Sequence, residues 1–400
     1  MSRTRLPTGE FIALMAMLFS MVAFSIDAML PGLPEIAAEL SPEAPNRAQL
    51  VITSFMLGMG IGTFISGPLS DAYGRRVVVS GGIAIFMVGS VLAYFTKSLE
   101  LLLLSRMLQG LGVAGPRIAP LAIIRDLYEG RQMAQLTSFV TMVFMLVPAV
   151  APSIGAVIIN TWNWRAIFVA FILFSGLAAL WLNIRQGETL RAQDRRSFRL
   201  GLLKAGFREV ITKRIVLIAI IAFSLEFGAL VSLLSSTQQV YADTFNRAES
   251  FPLWFAATAL VAATGTVLNA YLVVRLGMRR LVLWAFGMQM ILSLVALILF
   301  ALNVFDGTAA FALWFAWSAS ALFFVGLILG NLNALALQPL GHIAGMGASV
   351  ISAISTILGV IIAVPIGLAF NGTPLPLILG VAVMAALAWL LILTTLRDPA

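Results

Sequence analysis

The sequence predicts an all-α membrane protein with twelve transmembrane helices in two pseudo-symmetric six-helix bundles. Three observations carry that expectation. Apolar residues make up 60% of the 400 and charged residues only 10%, with a mean hydropathy of +1.01, far outside the range of soluble globular chains. Twelve apolar stretches follow one another, each close to or above the roughly 20 residues a helix needs to cross the hydrocarbon core. Basic residues fall in alternate loops between them. Strands are excluded for so many long apolar runs, because an open sheet edge would leave backbone groups unpaired in lipid.

Taken in order, the first six spans lie at 10–31, 49–70, 77–96, 99–124, 133–159 and 165–184. Span 1 follows Arg3 and Arg5 as a signal peptide would. Its apolar run is too long for such a leader, contains Asp27 and ends in Pro31-Gly32 without a small-residue cleavage site, so it reads as a retained helix. A polar segment at 185–214 comes next, with nine basic residues and the acids Glu188, Asp194 and Glu209. It reads as a solvated tether, although an amphipathic stretch at 198–207 has the pattern of a helix lying on an anionic leaflet. Six further spans lie at 215–240, 251–274, 281–302, 311–335, 344–370 and 374–396. The expected organisation is therefore a bundle at 1–184, a basic linker at 185–214 and a bundle at 215–400. Gly74-Arg75-Arg76 after span 2 recurs as Gly277-Met278-Arg279-Arg280 after span 8. That echo suggests internal duplication, and repeat-built membrane folds place ligands near the midplane between halves.

Arginine and lysine positions set the expected orientation. With the N-terminus inside, 19 of the 25 basic residues fall on the inner side: Arg3, Arg5, Arg75, Arg76, Arg125, Arg131, the nine of the linker, Arg275, Arg279, Arg280 and Arg397. Only Arg47, Lys97, Arg165 and Arg247 fall outside. Both termini are expected to be cytoplasmic, and the net charge of +8 is an orientation signal. A nucleic-acid partner is a poor explanation, since the charges form no single stripe. The chain has no cysteine and one histidine, His342, which argues against disulfides and a zinc or copper site. No nucleophile–base constellation suggests an enzyme, and His342 has no evident partner in the sequence.

A charge inside a bilayer costs roughly 2.5–3.5 kcal/mol on insertion scales, so each one asks for a reason. Asp27 in span 1 and Glu226 in span 7 are the acids placed well inside helices. Arg106 and Arg117 lie in span 4, eleven residues apart, a spacing that puts them on one helix face. Asn331 and Asn333 lie in span 10. These groups fall on every third span, as four helices around one polar-lined cavity would require. By depth, Asp27 and Arg106 are expected to meet. Burial and the guanidinium act on the Asp27 proton in opposing senses, and a balance near neutral pH would let Asp27 load and unload protons. The alternative is a fixed ion pair that merely orders the bundle. Glu226 reads as a second proton site, as a partner for a cationic group, or as an acid hydrogen-bonded to nearby Ser or Gln. Arg117, Asn331 and Asn333 are candidates for substrate contact; Arg117 could equally snorkel as a structural residue.

Gly67-Pro68-Leu69-Ser70-Asp71-Ala72-Tyr73-Gly74-Arg75-Arg76 closes span 2. With Arg125-Asp126 ending span 4 on the same side, its charges form a candidate conformational latch. This stretch resembles the G-x-L-x-D-x-x-G-R-R/K motif of the major facilitator superfamily. Leu102-x-x-x-Arg106-x-x-Gln109-Gly110-x-Gly112 resembles that family's helix 4 motif, and Asp27-Ala28-Met29-Leu30-Pro31-Gly32-Leu33-Pro34 resembles the helix 1 signature of its 12-helix drug:proton antiporters. Gly115-Pro116-Arg117, Arg125-Asp126-Leu127-Tyr128 and Gly341-His342-Ile343-Ala344-Gly345 look like the Bcr/CflA branch. The helix 5 antiporter motif survives only as Ala151-Pro152-Ser153-Ile154-Gly155-Ala156, Ala72 replaces a usually basic residue, Val274 stands where the first half has Asp71, and Phe19 occupies the place of an acid found in some relatives.

The resemblance implies the major facilitator fold and a proton-coupled antiporter that exports small amphipathic drug-like molecules. It implies no cofactor, the proton gradient as energy source, and the lipid bilayer, protons and a small-molecule substrate as partners. A monomer in a bacterial inner membrane is expected. The runner-up is a proton symporter importing a small organic anion, with Arg106 and Arg117 binding its carboxylate. From another class, a non-transporting receptor or scaffold would not need the buried charges.

Overall fold

The computed structural model describes residues 6–195 and 200–395, all helical or loop with no strand among them. Arg3, Arg5, Arg196, Arg199 and Arg397 of the orientation count lie outside the described residues. The helices of the first half are α1 (Thr8–Asp27), α2 (Leu33–Leu40), α3 (Leu50–Tyr73), α4 (Arg75–Phe95), α5 (Leu99–Leu127), α6 (Gly130–Thr161) and α7 (Ala166–Arg185). Then come α8 (Leu200–Thr212), α9 (Arg214–Gln239), α10 (Phe251–Leu276), α11 (Met278–Ala301), α12 (Gly307–Leu337), α13 (Ala344–Leu368) and α14 (Leu375–Thr395). Twelve of the fourteen match the expected spans; α2 and α8 are short extras.

Local sequence explains where they stop. α1 ends at Asp27 because Pro31 and Pro34 cannot supply the N–H groups that would continue it; the chain passes through a 3₁₀ turn into α2. Asp27 is thus the last residue of α1, whereas the sequence reading set it four residues inside. α5 starts at Ser98, whose Oγ accepts from the Leu101 N–H at 3.3 Å. Gly74 (φ +110°) and Gly277 (φ +75°) occupy the corresponding joints α3–α4 and α10–α11 in left-handed conformations that favour glycine. The recurring glycine followed by paired arginines therefore marks two similar backbone joints. An apolar helical stretch extends over Gly307–Leu368, 62 residues, and a kink at the non-helical Leu340 (φ −113°, ψ 20°) divides it into α12 and α13.

Contacts group the chain into two compact units: residues 1–36 with 54–203, and residues 37–53 with 204–400. The segment 37–53, from the end of α2 to the first turn of α3, thus groups with the second unit, a detail absent from the expected 1–184 and 215–400 division. In the first unit, α5 packs against α1, α3 and α4, and its glycines allow backbone-to-backbone approach. A Cβ on Gly110 would overlap the Phe55 carbonyl of α3, and one on Gly58 would overlap the Met107 carbonyl of α5. Small residues at such crossings are how membrane helices gain packing contacts when lipid removes the hydrophobic drive.

The segment after α7 is a docked element more than a tether. Gln186 and Thr189 are buried. In the second unit, Glu209 of α8 meets His342 of the α12–α13 turn at 3.0 Å and Lys213 at 3.1 Å. Lys213 also donates to the Pro339 carbonyl at 2.8 Å. His342 therefore has a partner after all, supplied from 133 residues away. The Lys213 ammonium, and after it His342, hold the Glu209 carboxyl below the ordinary glutamate range.

Candidate functional site

The first unit buries a charged cluster. Arg106 on α5 is 0% exposed and Asp27 at the end of α1 is 3% exposed. Arg106 Nη1 donates to Gln109 Oε1 at 2.7 Å, one turn along the same helix. Its Nη2 donates to the Ser25 carbonyl of α1 at 3.0 Å. Gln109 Nε2 in turn donates to Ser90 Oγ of α4 at 2.8 Å, and Ser90 to the Phe86 carbonyl at 2.9 Å. The guanidinium carbon stands 4.5 Å from the Phe55 ring centre and 6.0 Å from that of Phe171, a cation–π setting. The cluster thus ties α1, α3, α4, α5 and α7 to one cation.

The expected Asp27–Arg106 meeting takes a different form. Arg106 reaches α1 through the Ser25 carbonyl, two residues before Asp27, and no ion pair joins the two side chains among the described residues. Two residues along a helix are a rotation of roughly 200°, so Asp27 leaves α1 on another face from Ser25. Asp27 instead sits at the carbonyl end of its helix, where the dipole is unfavourable to negative charge. Gly155 of α6 packs against its immediate neighbour, since a Cβ there would overlap the Ala28 carbonyl. Pro152 lies one turn earlier, inside α6. The reduced helix 5 motif therefore contacts α1 backbone next to the candidate proton carrier. Arg117, further along α5, is half-buried and donates to Thr63 Oγ1 of α3 at 3.4 Å.

In the second unit, Glu226 of α9 is 1% exposed. Gln289 of α11, 2% exposed, is the polar side chain set beside it, while Glu226 Oε1 and Gln289 Oε1 each lack a hydrogen-bond partner among the described residues. Gln289 also lines a narrow crevice with Ala229, Leu233, Ala321 and Val381. Asn331 of α12 spends its amide on Asn269 Oδ1 of α10 at 2.6 Å and the Leu327 carbonyl at 2.7 Å, a role in helix packing. Asn333 is half-buried on the same helix.

The latch charges do converge. Arg75 Nη1 bonds Asp71 Oδ1 at 2.5 Å and Ser70 Oγ at 3.0 Å, and its Nε bonds Asp126 Oδ2 at 3.1 Å. One guanidinium thus joins α3, α4 and α5. Arg76 turns away to Asn183 Oδ1 of α7 at 2.7 Å. Gly67 precedes the in-helix Pro68 of α3, and Arg125 is exposed in the last turn of α5, outside this network. Sequence reasoning missed Glu188, Asn183, Ser90 and Gln289. These reach their partners across long sequence separations, whereas Gln109, three residues from Arg106, lies within the span 4 motif.

This arrangement defines a class: a polytopic helical membrane protein with buried ionisable groups and a charged network at the α3–α4 joint. Residues 12–364 match the family model described as Major Facilitator Superfamily, and the chain belongs to that family. A bicyclomycin resistance protein homolog from Haemophilus influenzae is 29% identical over 360 residues, 88% of each chain. Multidrug resistance protein D of Escherichia coli is 29% identical over 237 residues, 57% of this chain and 60% of that one. Among solved structures, a D-xylose-proton symporter superposes with a TM-score of 0.74 at 16% identity, covering 96% of both chains. That likeness concerns the fold.

Proposed function

We propose that the protein is a proton-coupled antiporter that exports small amphipathic drug-like molecules by alternating access, powered by the proton gradient across a bacterial inner membrane. The observation that carries the coupling is Asp27: a carboxyl 3% exposed, without an ion pair among the described residues, beside the Arg106 cluster and the α6 crossing at Gly155. A group so placed exchanges a proton with large consequence for its surroundings, because burying an unpaired charge is costly. Protonation of Asp27 is assigned to the reset of the cycle, Arg106 to fixing the neighbouring α1 backbone, and Glu226 with Gln289 to a second proton-binding place. The substrate class rests on the bicyclomycin and multidrug resistance relatives. Both termini are assigned to the cytoplasm, and the working unit to a monomer.

The test is accumulation of antibiotics and dyes in a bacterium stripped of its own pumps, expressing either wild type or Asp27→Asn. Lower accumulation with wild type, lost in the mutant, is the expected result. Full efflux by Asp27→Asn removes the proton role. Uptake in place of efflux, with proton movement of opposite sign, replaces export by import of an organic anion.

A further inference from the structure

The chain does not leave the first bundle at once after α7. Glu188 turns back on α4, and its Oε1 accepts the Arg75 N–H at 3.0 Å while its Oε2 accepts the Arg76 N–H at 3.1 Å. The same Oε1 accepts the N–H groups of Thr189 and Leu190, each at 3.0 Å. Four amides therefore converge on one carboxylate. Two of them open α4, where unpaired N–H groups and the helix dipole favour an anion. One residue on, Thr189 Oγ1 donates to Asp126 Oδ2 at 3.1 Å, the oxygen that also accepts from Arg75 Nε. Residues 188 and 189 are thereby tied both to the amide end of α4 and to the acid of α5.

Gly74 supplies an independent sign. Its φ of +110° already disfavours any side chain, and a Cβ there would also overlap the Glu188 carboxylate. The motif glycine thus keeps open the space that Glu188 fills.

We propose that Glu188 is a positioning residue of the latch: it pins the first turn of α4, so that Arg75 is set between Asp71 and Asp126, and it makes residues 186–190 a strap that is part of the latch. The effect on transport rests on the function proposed above; the strap does not. Because the chain has no cysteine, Leu190→Cys in the purified full-length protein gives a single reporter for maleimide labelling. Adding Glu188→Ala should speed labelling about tenfold, the loss expected from roughly one strong tie, with the isosteric Glu188→Gln intermediate. In proteoliposomes, bicyclomycin-driven proton movement in either variant should show a lower maximal rate at unchanged KM. Unchanged labelling in variants that elute and melt as the parent overturns the strap. Faster labelling with an unchanged maximal rate overturns the positioning role. Absence of proton movement in the parent itself would count against the antiporter reading alone, and labelling would still decide the strap.

Discussion

Arg106 shows what a single buried side chain does when it cannot shed its charge. Its two outer nitrogens are committed to Gln109 and Ser25, and its face lies against Phe55. That use depends on a planar fork, which lysine lacks. Arg106→Lys should keep the charge yet lose one of the two directed bonds and the ring contact. Hydrogen bonds to charged groups are worth about 1.5–3 kcal/mol, so efflux should fall ten- to a hundredfold at normal expression, as read by dye export in cells. Wild-type efflux in that variant would mean that charge alone suffices. The candidate charges were legible in the sequence because lipid makes each one exceptional: Asp27, Arg106 and Glu226 stand out from apolar neighbours. Their partners were not. Ser25 offers a carbonyl that every residue has, and Gln289 lies 63 residues from Glu226, so neither contact leaves a local pattern.

At the level of helices, the apolar runs gave the number and order of spans, because a bilayer leaves the backbone no other way to satisfy its hydrogen bonds. Ends and crossings were harder to read. The stop of α1 at Asp27 depends on prolines four and seven residues further on, and the docking of α8 through Glu209 depends on His342 in a distant turn. Crossings are decided by glycines whose partners are carbonyls on another helix. Gly155 is the case nearest the site, its missing Cβ leaving room for the Ala28 carbonyl. Gly155→Ala favours helix locally by ~1 kcal/mol, yet should destabilise the protein by ~1–3 kcal/mol, as overpacking does. A lowered melting temperature in detergent, together with reduced efflux, is the expected pair of readings. A raised melting temperature would show that α6 can move aside, and that this crossing does not hold α1 in place.

Over the whole molecule, the two halves share a joint but differ in its charges. Gly74 and Gly277 take the same kind of backbone conformation, yet Val274, 84% exposed, replaces the acid that holds Arg75 in the first half. The first joint holds a guanidinium among acids, and at the second a valine stands in the place of Asp71. What the two joints still share is basic charge, and orientation in the membrane depends on that charge more than on any contact. With 19 basic residues assigned to one side and four to the other, and each Lys or Arg near an anionic surface worth ~1 kcal/mol, insertion the other way round would be strongly disfavoured. The native absence of cysteine makes the consequence directly measurable. Single cysteines at Lys97 and Asn246, in loops expected outside, should react with a membrane-impermeant maleimide in intact cells. Cysteines at Arg131 and Arg275 should react only after the membrane is opened. The opposite pattern at all four positions would invert the assignment, put Arg75 and Glu188 on the outer face, and require the strap to act where the proton concentration is highest.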